Sequence, residues 1–150
     1  MKTKNSIYFI LITILLTTLV LSACGGPQAK PVEGAERDAV LLYSEPAADN
    51  VLLGINDSDY ATFSSPFNAT LAKSLNEAEF AKLQQAVLPK VGKYVSREVD
   101  SVLQDDKYVT LIYKAKFEQE DGVTVRLVFD KTDTHPVSGL WFDSPKLRQK

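Results

Sequence analysis

The chain of 150 residues holds one cysteine, one histidine, one tryptophan and one methionine. A single cysteine excludes an internal disulfide, and with it the cross-linked scaffold by which small exported domains supplement a thin core. A single histidine, His135, leaves no histidine pair for a zinc site. It precedes Pro136 in a polar turn, and no G-x-S-x-G nucleophile motif stands elsewhere, so it reads as a surface residue and not a general base. No acidic loop has EF-hand spacing; Asn56-Asp57-Ser58-Asp59 reads as helix capping and a turn. The seven glycines form no phosphate-cradling loop. An excess of basic charge is also missing: 17 basic against 19 acidic residues give a net charge of −2. That balance argues against nucleic acid and against electrostatic docking to anionic lipid. The composition therefore calls for no metal, no cofactor and no nucleic acid.

What is present starts at the N-terminus. Lys2 and Lys4 lead into an uncharged apolar run from Ile7 to Leu21, ending in Leu21-Ser22-Ala23-Cys24. A basic start, a short apolar stretch and small residues before a cut describe a secretory signal over residues 1–23. The wider uncharged stretch from Asn5 to Ala23 carries Asn5, Ser6, Thr13, Thr17, Thr18 and Ser22, and no basic stop-transfer cluster follows, which disfavours a plain transmembrane helix. The four residues before and at the cut resemble the lipobox of bacterial lipoproteins. That resemblance implies cleavage between Ala23 and Cys24, a diacylglyceryl group on the Cys24 thiol and an extracytoplasmic, membrane-anchored location. An unpaired thiol is otherwise an odd export to an oxidising compartment, and lipidation accounts for it. Two or three acyl chains hold where a single chain binds only marginally. Without residues 1–23 the chain has 127 residues and a net charge of −4, enough length for one small domain.

Residues 24–34, Cys-Gly-Gly-Pro-Gln-Ala-Lys-Pro-Val-Glu-Gly, lack a hydrophobic period and read as a flexible tether. From Glu36 to Gln85 the pattern is helical. Ala39, Val40, Leu42 and Tyr43 predict one short apolar face. Pro46 predicts either a kink or a new first turn capped by Ser44. Ala47, Val51 and Ile55 recur at four-residue steps, flanked by Ala48 and Leu52. Tyr60 and Phe63 share a short helical turn, and Phe67, Leu71 and Leu75 make the next stripe. Asn76 with Glu79 predicts an N-cap pair for a further helix whose face is Phe80, Leu83, Val87, Leu88 and Val91.

The period then changes to two. Val95, Val99 and Leu103 predict a first strand; Val109, Leu111, Tyr113, Ala115 and Phe117 a second; Val123, Val125, Leu127 and Phe129 a third. Asp121-Gly122 predicts the hairpin between the last two. Val137 to Phe142 predicts a short fourth strand. The expected fold is α+β: N-terminal helices packed on one face of a four-stranded antiparallel meander, forming one domain over residues 35–150.

Ala48-Asp49-Asn50-Val51-Leu52, Asn56, Asp59-Tyr60, Phe63-Ser64 and Phe67 resemble a bacterial and archaeal family of unknown function. The likeness continues through Val91-Gly92-Lys93-Tyr94 to Ser138-Gly139-Leu140-Trp141-Phe142, covering roughly residues 39–143. The resemblance implies a cystatin-like roll of the nuclear-transport-factor-two type, often carried behind a lipobox, and no established reaction.

Two readings of function follow. In the first, the chain is a non-enzymatic, lipid-anchored domain that binds an unknown small ligand, an envelope protein or a second copy of itself. Tyr108, Ile112, Val102 and Val128 fall on the phase opposite the main apolar set, among Lys114, Lys116, Arg126 and Thr124. The adjacent Trp141 and Phe142 must point to opposite faces. Tyr60, Phe63, Tyr108, Ile112, Arg126 and Trp141 are thus the candidate pocket or interaction residues. In the alternative, the resemblance implies a pocket enzyme in which Asp59 and Tyr60 do acid–base chemistry on an apolar ligand. Asp59 also reads as a helix N-cap, and Tyr60 and Phe63 as core or rim aromatics.

Overall fold

The computed structural model describes residues 29–149. The signal segment, the Ala23–Cys24 cut and the lipidation site at Cys24 lie outside the described residues. The order of elements is β1 (Lys30–Pro31), α1 (Gly34–Asp57), α2 (Tyr60–Ser64), α3 (Ala69–Ser74), α4 (Glu77–Val91), β2 (Tyr94–Gln104), β3 (Tyr108–Phe117), β4 (Glu120–Asp130), β5 (Val137–Asp143) and α5 (Pro145–Arg148). The architecture is α+β, with an antiparallel sheet in the order β1-β2-β3-β4-β5. No helix of the described residues is long and apolar enough to cross a membrane.

The sheet has five strands where four were expected. Lys30 and Pro31, read in sequence as tether, pair with Gln104 and Leu103, and the next residue, Val32, is buried. Val32 N–H donates to the Val102 carbonyl at 2.9 Å, so the chain enters the fold earlier than its composition suggests. Two residues carry no periodicity, and only the free edge of β2 makes a strand of them.

Helix α1 runs unbroken for 24 residues through Pro46. Proline lacks the N–H that the Leu42 carbonyl would accept, and the helix tolerates this because Leu42 and Pro46 face solvent. Leu42 is 80% exposed, so it leaves the apolar face assigned to it. Ser44 does not cap a new helix; it is buried in the middle of this one. The buried face is Val40, Ala48, Val51, Leu52 and Ile55. Each of the larger side chains contributes about 1.5–3 kcal/mol by leaving water. Ser58, in the left-handed region at φ 56°, ends the helix. Gly54 lets α2 approach: a Cβ there would lie 2.6 Å from the Phe63 amide nitrogen.

The α4 start follows its expected cap. Asn76 Oδ1 accepts from the Ala78 and Glu79 amides, while the Glu79 carboxylate pairs with Lys82 and does not reach back to the cap.

Two bulges in β2 change which residues face inward. The register slips at Val95 and again at Asp100. An extra residue on one strand shifts the alternation by one. Val95 therefore points out and is 53% exposed, whereas Val102, assigned to the open face by simple alternation, is 3% exposed in the core. Leu103 moves to the outer phase opposite Thr110. The β3–β4 hairpin also differs. Its turn is Glu118-Gln119, and Asp121-Gly122 lie inside β4, where Gly122 takes φ 74° beside a register slip.

The core lies between the helices and the inner sheet face. Leu111, Tyr113, Ala115 and Phe117 of β3 and Val123, Val125, Leu127 and Phe129 of β4 are all essentially inaccessible. Phe63 joins them through Phe67 and Phe80, at ring-centroid distances of 5.0 and 4.5 Å.

Candidate functional site: the outer sheet face

The register places Ile112, Arg126 and Trp141 in one row. Ile112 pairs with Arg126 across β3 and β4, and Arg126 pairs with Trp141 across β4 and β5. Side chains directly opposite on antiparallel strands share a face, so all three project away from the helices. The Arg126 guanidinium sits 4.2 Å from the Trp141 ring centroid, a cation–π contact on the surface. Trp141 remains 48% exposed while Phe142, its neighbour, turns inward.

Gly139 explains how the indole lies down. It is buried, and a Cβ at that position would enter the Trp141 ring. The ring therefore covers the strand where a larger residue would lift it off. Tyr108, 40% exposed, stands on the same phase of β3 two steps beyond Thr110 and Ile112. Beside the row, a shallow hollow of about 270 Å³ is lined by Ser96, Glu98, Lys114, Lys116 and Asp121. The face thus combines an aromatic–arginine patch with mixed charge.

Tyr60 and Phe63 do not belong with these four residues. Phe63 is wholly buried, and the Tyr60 hydroxyl donates to the Ala72 carbonyl at 3.4 Å, both on the helical side of the sheet. Asp59 is the N-cap of α2. Its carboxylate accepts from the Thr62 hydroxyl at 2.6 Å and the Thr62 amide at 3.1 Å, and these bonds hold its pKa below the usual carboxylate value. A surface carboxylate stabilised as the anion is a poor proton acceptor. That geometry engages Asp59 as a cap and lends the Asp59–Tyr60 acid–base pair no support.

A polar cluster with little signal in the sequence lies between α1 and the inner face of β2 and β3. The Arg97 side chain is 7% exposed. It donates to the Glu45 carboxylate and carbonyl at 3.0 Å, to the Asp49 carboxylate and to the Tyr94 hydroxyl. Its guanidinium also sits 5.3 Å from the Tyr113 ring centroid. Burial and the Glu45 charge raise the Tyr113 phenol. Burial works against the Arg97 charge, but the Asp49, Tyr94 and Glu45 oxygens outweigh it and raise the guanidinium. Both groups therefore keep their protons at neutral pH. Ser44 Oγ, Glu45 Oε1, Arg97 Nε and Tyr113 Oη have no partner among the described residues. The cluster clamps α1 to β2. An arginine at an inward strand position, three residues after a tyrosine, is its only trace in the sequence.

His135, expected as a surface turn residue, is half-buried and stacks on Tyr43 at 4.1 Å between centroids, 13° from parallel. Its φ of 43° is left-handed, a conformation that costs a non-glycine residue energy. Asn68 caps α3 through Leu71 and donates to the Asp130 carboxylate at 2.8 Å, tying that helix to β4. Among the described residues, no group of three or more histidine, cysteine, aspartate or glutamate side chains could hold a metal ion.

No curated protein and no solved structure matches the chain. A family model does match, over residues 48–134, from the buried face of α1 to the turn before β5. That span is more than half the chain, and the chain belongs to the family described as Protein of unknown function (DUF3887).

Proposed function

We propose that this protein is a lipid-anchored, extracytoplasmic lipoprotein whose folded domain is a non-enzymatic binding module. The anchor reading rests on Leu21-Ser22-Ala23-Cys24 behind a basic and apolar leader. The binding reading rests on one observation: the Ile112–Arg126–Trp141 row with an exposed indole laid flat over Gly139. Tryptophan, tyrosine and arginine carry most of the energy in protein interfaces, and all three stand on this face. The partner is an envelope protein engaged through that row, close to the membrane that the anchor holds.

The arrangement of helices over one face of an antiparallel meander is consistent with a cystatin-like, nuclear-transport-factor-two-like roll. We assign that finer fold as part of the same proposal. The roll's enzymatic relatives offer no support here, because Asp59 is engaged as a cap.

Two experiments test the proposal separately. Labelled palmitate should enter the wild-type chain and not Cys24→Ser; incorporation that survives Cys24→Ser rules out the anchor. A photo-crosslinking residue placed at Ile112 in the full chain should trap an envelope protein, and Trp141→Ala should reduce that product about tenfold. Crosslinking that is absent, or unaltered by Trp141→Ala, removes the outer face as the binding surface.

A further inference from the structure

A second concave surface lies between β5 and the helices, beside Trp141. Helix α4, the inner side chains of β5 and helix α5 enclose a groove of about 360 Å³. Leu83 and Val87 of α4, Leu140, Trp141 and Phe142 of β5, and Leu147 of α5 line it. Its volume falls at the low end of small-molecule sites, which suits one slender apolar chain and not a two-tailed lipid.

Lys90 is the one charged side chain in the lining. Its ammonium donates to the Leu147 and Gln149 carbonyls. An ammonium has three donors, so one is left over. Lys90 joins no ion pair among the described residues, and the acids on the flanking segments are engaged elsewhere. Asp143 pairs with Arg148, and Glu120 accepts from the Ser144 hydroxyl and the Lys146 amide. Among the described residues, the groove thus holds a cation without a counter-charge.

An added peptide strand fits this place poorly. The start of the β5 edge is already closed by the chain itself: Val137 N–H donates to the Pro66 carbonyl, and the Val137 carbonyl accepts from Asn68. Its far end turns at Ser144 into α5. Little free edge remains for main-chain pairing.

We infer that this groove binds a single-chain amphiphile with a carboxylate head, its tail lying along Leu83, Val87, Phe142 and Leu147 and its carboxylate pairing with Lys90. Burial of the tail supplies affinity, and the charge-assisted bond to Lys90 fixes its direction. The groove shares only Trp141 with the outer-face row, and its test needs no protein partner.

Trp141 is the only tryptophan in the chain and borders the groove, which makes it an intrinsic reporter. The full chain in phosphatidylcholine nanodiscs is titrated with dibromododecanoate while Trp141 fluorescence is recorded. Saturable quenching is expected, competed by dodecanoate and about tenfold less well by dodecanol. Leu83→Arg should abolish it, and Lys90→Gln should remove the preference for dodecanoate over dodecanol. Ala86→Phe, which fills the groove without burying a charge, serves if Leu83→Arg unfolds the domain. Quenching that rises without saturation and survives both groove variants means contact with brominated chains in the bilayer only, and overturns the site. Equal competition by dodecanol and dodecanoate overturns the carboxylate assignment. Competition by an apolar peptide but not by dodecanoate replaces the amphiphile with a protein segment.

Discussion

Arg97 lies over the face of Tyr113, its guanidinium carbon 5.3 Å from the ring centroid, with its charge answered by two carboxylates from α1. The arginine is almost wholly buried, whereas Glu45 and Asp49 remain 39% and 51% exposed. This asymmetry sets the consequences of mutation. Removing the arginine leaves two carboxylates that are each still partly open to water, although Glu45 Oε1 is buried. Removing the anions leaves a cation that water cannot reach. Arg97→Met should therefore cost about 1–2 kcal/mol, and Glu45→Gln with Asp49→Asn about 3–5 kcal/mol, in urea unfolding. Equal costs, or the reverse order, would show that the clamp is not the buried charge described.

Tyr113 should make the fold sensitive to alkali. Its phenol is raised from 10.0 in the folded state by burial and by Glu45. The unfolded chain releases that proton near pH 10, while the folded chain retains it. The folded state then binds more protons, so stability is full below pH 10 and falls as pH rises through the folded value. Tyr113→Phe should flatten the loss of melting temperature between about pH 9.5 and 11 relative to the parent. Parallel curves for the two proteins would count against a raised phenol.

Gly54 should resist replacement despite its helical setting. Alanine is favoured over glycine within a helix by about 1 kcal/mol. Here the added methyl would meet the Phe63 backbone at 2.6–2.7 Å, and backbone cannot rotate away as a side chain can. Gly54→Ala should destabilise by about 1–3 kcal/mol, with α2 displaced from α1. A stabilised variant in a thermal melt would contradict that close approach.

Gly139→Ala tests the outer face without touching the core. The new Cβ would occupy the place of the Trp141 ring, and the ring can swing towards solvent. A red shift in tryptophan emission is expected, with unfolding free energy changed by less than about 1 kcal/mol. Unchanged emission would mean that the indole does not lie over this strand.

The helical half was legible where one-dimensional pattern and burial coincide. Val51, Leu52 and Ile55, four residues apart or adjacent to such positions, had to share a face, and Asn76 had to cap what followed it. The site was only partly legible. Alternation sends Ile112 and Arg126 outward, and adjacency separates Trp141 from Phe142, so the strand period alone groups these three candidate residues. Tyr60 and Phe63 joined them only because aromatic residues look alike in core and pocket. Arg97 escaped notice because charge suggests solvent, and its counter-ions lie about fifty positions earlier in the chain.

The sequence by itself determined the change from helical to strand period near residue 94 and the antiparallel order of consecutive strands. These follow from local chemistry: hydrophobic spacing, turn residues and short connections act over a few positions. Only the tertiary structure decided that Lys30-Pro31 become a strand, that Val102 is core, that Asp59 is a cap and that Arg97 is buried. Each depends on a partner distant in sequence or on a bulge that shifts the face of every residue beyond it. A one-residue slip leaves composition untouched and reverses inside and outside.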